Sequence, residues 1–279
     1  MDKLKISVLN VGHGDFIFIT TPNYENLIID CGSGENEGEI VPNKFLNNVN
    51  TIHELQISHP HLDHFYDILG LANKSILSFR CPSLNKLSDT VAGLTDNDKK
   101  KIKKLKELKA SIKSNNDSVP SKDGFSHTVW FPKNIDSENP NSLSYVTTVS
   151  YKNFKMLFGG DLQKEGWEEL LKKDDFVKAI KGTTFLKVSH HGREDGCSEK
   201  LMDILKPTLR LCIISDKSLE KDNKNTANTQ WYSDRVGKGI LFGDTERKVL
   251  TTRNDGSIHI HADNKGMWTV WRNTHWKAD

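Results

Sequence analysis

The stretch "ISHPHLDHFYDI" sets His59, His61, Asp63 and His64 within six positions. Neutral imidazole nitrogens beside a carboxylate form a ligand set for a borderline divalent metal, zinc first, with Mn2+ or Fe2+ compatible. His59 and His61 stand two apart, so one turn can aim both rings at a single ion while Asp63 and His64 face a second. Six residues cannot fill two coordination shells, and more ligands must arrive from elsewhere. Asp161 closes the apolar run "MLFGGD" and could bridge two ions; His190 and His191 close "FLKVSHHG". Asp30 ends another apolar run, and His13 and Asp15 sit in the turn "VGHGD". These three are placed to stand behind the ligands and orient them. Lys187 and Arg193 flank the paired histidines and could neutralise an anionic substrate; a plain surface charge is the equal alternative. Two divalent ions lower the pKa of a water held between them and stabilise attacking and leaving oxygens, which is hydrolytic chemistry.

Residues so far apart converge only if the elements carrying them end at one place. Apolar alternation on both sides of Gly12 and Gly14 predicts strand, tight turn, strand, and "ENLIID" and "ELQIS" predict two more. The cluster opens where the last of these ends, and "HFYDILGLAN" then has helical spacing. After Ser126 come strands at "HTVWFP", "SLSYVTTVSY" and "FKMLFGGD". They are followed by a helix over "GWEELLKKDDFVKAI", a strand at "TTFLKVSHHG", a helix at "EKLMDILKP" and a strand at "LRLCIISD". Strands ending in polar clusters and followed by helices predict a layered α/β fold with its site at strand ends. Residues 96–117 read as a lysine-rich helix with Ile102, Leu105 and Ile112 on one stripe, flanked by loop. That makes a helical insertion at about 96–123, either a solvated face or a positive ridge for phosphate backbones. Asn254-Asp255-Gly256 reads as a hairpin turn. His259 and His261 share one face of a strand, where a surface role is expected. Trp268 and Trp271 are expected to cover a sheet face rather than stack on bases.

With 279 residues and no clean linker, one domain over 1–279 is expected. The 39 basic and 37 acidic residues nearly cancel, so net charge selects no partner. Four scattered cysteines fit reduced thiols. The N-terminus has no apolar run of signal-peptide length and no later run approaches a membrane span, so a cytoplasmic protein without membrane contact is expected.

"HPHLDH", "FGGD" and "SHHG" together resemble the metallo-β-lactamase fold superfamily. That resemblance implies an αββα four-layer sandwich with a one- or two-metal hydrolytic site between the sheets. "LNVGHGDFIFI", "LIIDCG", "NPNSLSYVTTVSYKNFKMLFGGD", "LKVSHHG" and the closing "TTRNDGSIHIH" resemble more narrowly the hydrolase domain of ComEC-type DNA-uptake competence proteins and their stand-alone relatives. Only the lysine-rich insertion falls outside the likeness. The chain departs from that pattern at His13, where glutamine is commoner, and at His61, where aspartate is frequent. A further histidine ligand is also missing between the cluster and Asp161, His127 being the sole candidate. The resemblance implies His59 and His61 on one metal, Asp63, His64 and His190 on the other, and Asp161 between them. His190 is preferred to His191 because it leaves the strand first. Asp63 and His191 form the catalytic pair, His191 contacting substrate or protonating the leaving group, with Asn141 and Ser142 at the substrate. The activity implied is a metal-dependent phosphodiesterase or nuclease on a nucleic acid or nucleotide. The competing readings are a small-molecule lactonase-like hydrolase and an effector subunit, for example of a bacterial defence system, idle without a protein partner.

Overall fold

A computed structural model describes residues 3–33, 39–84, 87, 93–114, 118–133, 139–217 and 227–273, the side chains of 118–122 and 273 excepted. The first of two seven-stranded sheets is built from β1 (Leu4–Val8), β2 (Ile17–Thr20), β3 (Asn26–Ile29), β5 (Glu54–Gln56), β7 (Phe79–Arg80), β17 (Ser257–Ala262) and β18 (Trp268–Asn273). Its order is β18-β17-β1-β2-β3-β5-β7. Pairing is antiparallel from β18 to β3 and parallel from β3 to β7. The second comprises β8 (Ser118–Lys122), β9 (Phe125–Trp130), β10 (Val146–Tyr151), β11 (Phe154–Phe158), β12 (Phe185–Lys187), β13 (Leu211–Ile214) and β16 (Val249–Thr251). Its order is β16-β13-β12-β11-β10-β9-β8, parallel from β16 to β11 and antiparallel beyond. Two short ribbons, β4 (Thr51–Ile52) with β6 (Ser75–Ile76) and β14 (Ile240–Phe242) with β15 (Thr245–Arg247), complete the strands.

Side-chain alternation decides the layering. Ile17 and Ile19 of β2, Phe154, Met156 and Phe158 of β11 and Leu211 and Ile213 of β13 all point into one apolar layer between the sheets. The intervening Phe18 and Ile28 face α1 (Pro42–Phe45), α2 (Leu62–Phe65), α3 (Ile68–Leu71) and α4 (Asp96–Ser111) on one outer side. Leu157, Leu186 and Cys212 face α5 (Lys164–Leu170), α6 (Asp174–Ile180), α7 (Glu199–Leu205) and α8 (Thr229–Arg235) on the other. A strand buried on both faces must be apolar at both parities, which is why these runs are nearly continuous. The result is an αββα sandwich.

Six local expectations are corrected. The helix expected over 166–180 is two, α5 and α6, and the one expected over 64–73 is the pair α2 and α3. The lysine-rich helix stops at Ser111. A Thr95–Asp98 capping box starts it, and Ile102, Leu105 and Leu108 are buried against the first sheet's helices, so it is part of the outer layer. Beyond it, 118–122 is no loop but the edge strand β8, paired with β9; residues 115–117 of the expected insertion lie outside the described residues. Finally, Asn254-Asp255-Gly256 is not a hairpin. It ends α9 (Thr252–Asp255), which carries the chain from β16 in one sheet to β17 in the other. His259 is likewise not at the surface. It is 1% exposed, its Nδ1 2.9 Å from Ser7 Oγ and its ring stacked on Trp271. Trp268 packs against Phe185, and the tail residues 274–277 lie outside the described residues.

All four cysteines are buried free thiols. No helix among the described residues is long and apolar enough to cross a membrane.

Candidate metal centre

The parallel strands of both sheets end at one edge of the sandwich. β3 delivers Asp30, β5 runs through Ser58 to His59, β11 delivers Asp161, and β12 leads to His190 and His191. Asp161 lies 2% exposed at the centre. Its Oδ2 is 3.6 Å from His59 Nε2 and 3.5 Å from His191 Nε2, and its Oδ1 is 3.5 Å from His64 Nε2. Asp63 Oδ2 lies 3.4 Å from His13 Nε2, 3.5 Å from His191 Nε2 and 3.6 Å from His64 Nε2. Two donor groups result, His59–His64–Asp161 and His13–Asp63–His191, the atoms of each within 4.8 Å of one another.

The outward nitrogens of these rings are fixed from behind. His64 Nδ1 lies 2.7 Å from Asp30 Oδ2, and Asp30 also accepts from Ser58 N (2.6 Å) and Ser58 Oγ (2.7 Å). His191 Nδ1 lies 3.1 Å from Ser215 O. A carbonyl only accepts, so that Nδ1 carries the hydrogen and Nε2 is the ring's ligating atom. His59 Nε2, His64 Nε2, His191 Nε2 and Asp161 Oδ1 are all buried without a hydrogen-bond partner. Orphaned acceptors converging on one carboxylate are costly unless a cation joins them, and imidazole with carboxylate is a transition-metal donor set. The residues therefore fit divalent metal.

The charges point the same way. Burial opposes ionising Asp161, yet His191, His64 and His59 hold its carboxyl well below the ordinary range. Asp63 is also low, burial being outweighed by His64 and His191. Burial opposes protonating His191, but Asp161 and Asp63 raise it to about 10. His59, fully buried next to His64, is pushed well below its ordinary value. Burial and the neighbouring His191 take His13 down to about 4. The two carboxylates thus favour positive charge where they meet, the place a metal ion would take.

Several residues sit elsewhere than expected. The order of the paired histidines is reversed, His191 reaching both carboxylates while His190 stands 3.9 Å from Asp161. His190 Nδ1 lies 2.6 Å from Asp195 Oδ1, and its Nε2 is 3.3 Å from both Asn141 Nδ2 and Arg193. Gln163 donates to the second Asp195 oxygen at 2.8 Å. Both histidines adopt left-handed backbone, φ 48° and 51°, an uncommon strain that the surrounding contacts must hold. His61 belongs to neither donor group; its ring is 4.7 Å from that of His59 at the mouth. His13 reaches Asp63 itself rather than standing behind it.

Lys187 cannot meet a substrate. Two residues after the inward Phe185, it points between the sheets, 0% exposed, and donates to Asp15 Oδ2 at 2.8 Å and Val188 O at 3.2 Å. Asp15 therefore serves this ion pair beneath the centre. Arg193 stays half-buried at the mouth, Asn141 lies buried beside His190, and Ser142 is buried next to it in the chain. His127 is remote from the centre, 3.5 Å from Glu54 in a buried pair. Sequence reasoning passed over Asp195, Gln163, Ser58 and Ser215. Only Asp195 left a signal, as the second acid of "HHGRED".

Gly14 makes the approach of the opening turn possible. It holds φ 113°, and a Cβ there would sit 2.1 Å from Asp63 O. Gly14→Ala is expected to lower unfolding free energy by about 2 kcal/mol or more in urea denaturation. The same change, by pushing the Asp63 loop outward, should weaken zinc binding at least tenfold by competitive titration.

No protein-family model and no curated protein sequence matches the chain. Among solved structures it is similar to an isothiocyanate hydrolase from Delia radicum gut bacteria, at TM-score 0.48 and 10% identity over 91% of this chain and 98% of that one. It is similar also to a diphosphatase from the PhnP family, at TM-score 0.45 and 8% identity over 91% and 96%. A protein from Thermotoga maritima assigned to the metallo-β-lactamase superfamily as a Zn-dependent hydrolase aligns at TM-score 0.44 and 12% identity, over 88% and 97%.

Proposed function

We propose that this chain is a metal-dependent hydrolase of the metallo-β-lactamase fold that cleaves phosphodiesters in a nucleic acid or nucleotide. The observation that carries the reading is the buried Asp161 with three imidazole Nε2 atoms around it, none satisfied by hydrogen bonding. His59, His64 and Asp161 would hold one ion. Asp63 and His191 would hold the other, with His13 beside them and Asp161 shared. Zinc suits this imidazole-rich set best. When bound, the two ions supply Lewis-acid polarisation of a phosphoryl oxygen and a water of lowered pKa.

The chain's own residues do the rest. Asp30 holds the hydrogen of His64 Nδ1, and Ser215 O that of His191 Nδ1, so both rings present Nε2 inward. Asp195 fixes the hydrogen on His190 Nδ1, so Nε2, which faces the Asn141 amide and the Arg193 guanidinium, is an acceptor able to take up a proton from the attacking water. Arg193, next to that Nε2, binds the anionic group. Three considerations support phosphodiesters: the ComEC-type motifs, the guanidinium at the mouth and the cationic α4 nearby.

Hydrolysis of bis(p-nitrophenyl) phosphate and of end-labelled single and double strands of DNA and RNA, with Zn2+ or Mn2+, tests the reading. Cleavage that a chelator abolishes is expected. Zinc at a hundred times its dissociation constant should also add about 2.7 kcal/mol of stability, a rise of several degrees in Tm. A protein that gains this stability and cleaves no phosphodiester would instead support a different ester, or a partner that switches the site on.

A further inference from the structure

A second feature opens along the same edge of the sandwich. Between β7 and the C-terminal turn of α4 lies a cleft of about 410 Å³, lined by Arg80, Lys109, Ile112, Lys113 and Tyr145 among others, with no aspartate or glutamate among the described residues of its wall. It begins at the metal centre's own wall. Ile57 N donates to Arg80 O at 2.8 Å, and Tyr145 N donates to Ser58 O at 2.9 Å, one residue before His59. The next residue back, Ser144, accepts from Asp161 N at 3.2 Å. The cleft and the site thus share a partition of hydrogen-bonded backbone.

The cleft is built, not a gap beside a loose helix. Lys109 Nζ donates to Cys81 O at 2.8 Å and to Pro82 O, tying the helix end to the strand end. An ammonium has three donors, so one of its hydrogens is left for a ligand. Lys113, exposed just past the helix, has no partner among the described residues. Over residues 103–113, Lys103, Lys104, Lys106, Lys109 and Lys113 stand against one acid, Glu107, which is paired with Lys104. The Arg80 charge is turned inward onto Glu54 at 3.5 Å. Tyr145 also lines the cleft, its ring 5.6 Å from that of Phe131. Ammonium groups and an aromatic ring lining one cleft are what a single nucleic-acid strand requires, phosphates on the first and a base on the second. The volume is too small to seat a duplex.

Building on the phosphodiester reading above, we infer that this cleft is the track by which one strand of nucleic acid reaches the metal centre. Lys109 and Lys113 take its phosphates, and Tyr145 stacks a base.

The test is fluorescence anisotropy of metal-loaded full-length protein with short labelled phosphorothioate oligothymidylate, the uridine oligomer and a duplex, across a salt series. Wild type should bind both single strands more tightly than the duplex. Lys109→Glu/Lys113→Glu should weaken single-strand binding by about tenfold and reduce the salt slope by about 0.7 per lysine. Lys113→Glu alone, at an exposed site outside any element, gives the same direction should the double variant fold poorly. Equal affinity and slope in wild type and variants would overturn the track. Hydrolysis of bis(p-nitrophenyl) phosphate by wild type separates the two claims. If that diester is cleaved while the variants bind like wild type, the track fails and the hydrolase stands. If no diester is cleaved while the variants lose binding, the surface stands and the hydrolytic reading fails.

Discussion

Asp161→Ala protein will fold, bind little zinc and hydrolyse phosphodiesters at least a thousandfold more slowly than wild type, about 4 kcal/mol of lost barrier reduction. The size follows from where the carboxylate sits. Its two oxygens lie 3.5–3.6 Å from three buried imidazoles drawn from two different loops. Removing it takes the carboxylate from the His59–His64–Asp161 group and from beside His191, and leaves His59, His64 and His191 facing one another without the charge that draws a cation among them. Bound zinc after equilibrium dialysis is the measure, with circular dichroism to establish that the variant is folded. Zinc content equal to wild type would show that the metals are held elsewhere. The neighbouring pair sharpens the point. His191→Ala should lose metal, whereas His190→Ala should keep it and lose rate.

Lys187→Met will cost the fold about 3–5 kcal/mol by urea denaturation, the range for removing one partner of a buried ion pair. Both charges are 0–1% exposed, so the methionine would leave the buried Asp15 carboxylate without its direct ion-pair partner. The double change Asp15→Asn/Lys187→Met should recover much of the loss, since it removes both charges together. The pH dependence has a definite sign. Burial raises the Asp15 pKa, but Lys187, with His191 and His64, outweighs it, and the native value falls below the ordinary one. The pair's stabilisation is therefore full above the ordinary carboxyl range and lost as pH falls through the depressed native value. Lys187→Met should flatten that acid limb. An unchanged midpoint in urea at neutral pH would show that the pair is not the support described.

Much of the architecture is legible in the chain because strands buried on both faces are nearly continuous apolar runs, and most runs from Leu4 to Ile214 are of that kind. The layering itself came from the resemblance of the motifs to a known fold. His59, His64 and Asp161 could be singled out because ionisable residues immediately after apolar strands have few other uses. The choice between His190 and His191 could not be read. Both residues are left-handed, and that backbone decides which ring turns toward Asp161. Lys187 was legible and was missed: Phe185 faces inward, so period two turns Lys187 inward as well. β8 was hidden by Pro120, which a central strand would reject and an edge strand tolerates. Asn254-Asp255-Gly256 fits a hairpin and a helix end equally well by local sequence, and only the pairing of β16 and β17 with different sheets separates them.

Anomalous diffraction from crystals of the wild-type chain grown with zinc tests the central claim most directly. The account predicts two peaks, one among His59 Nε2, His64 Nε2 and Asp161, the other among Asp63, His191 and His13, with none against His190. A density map without either peak, or with zinc on His190 in place of His191, would contradict it.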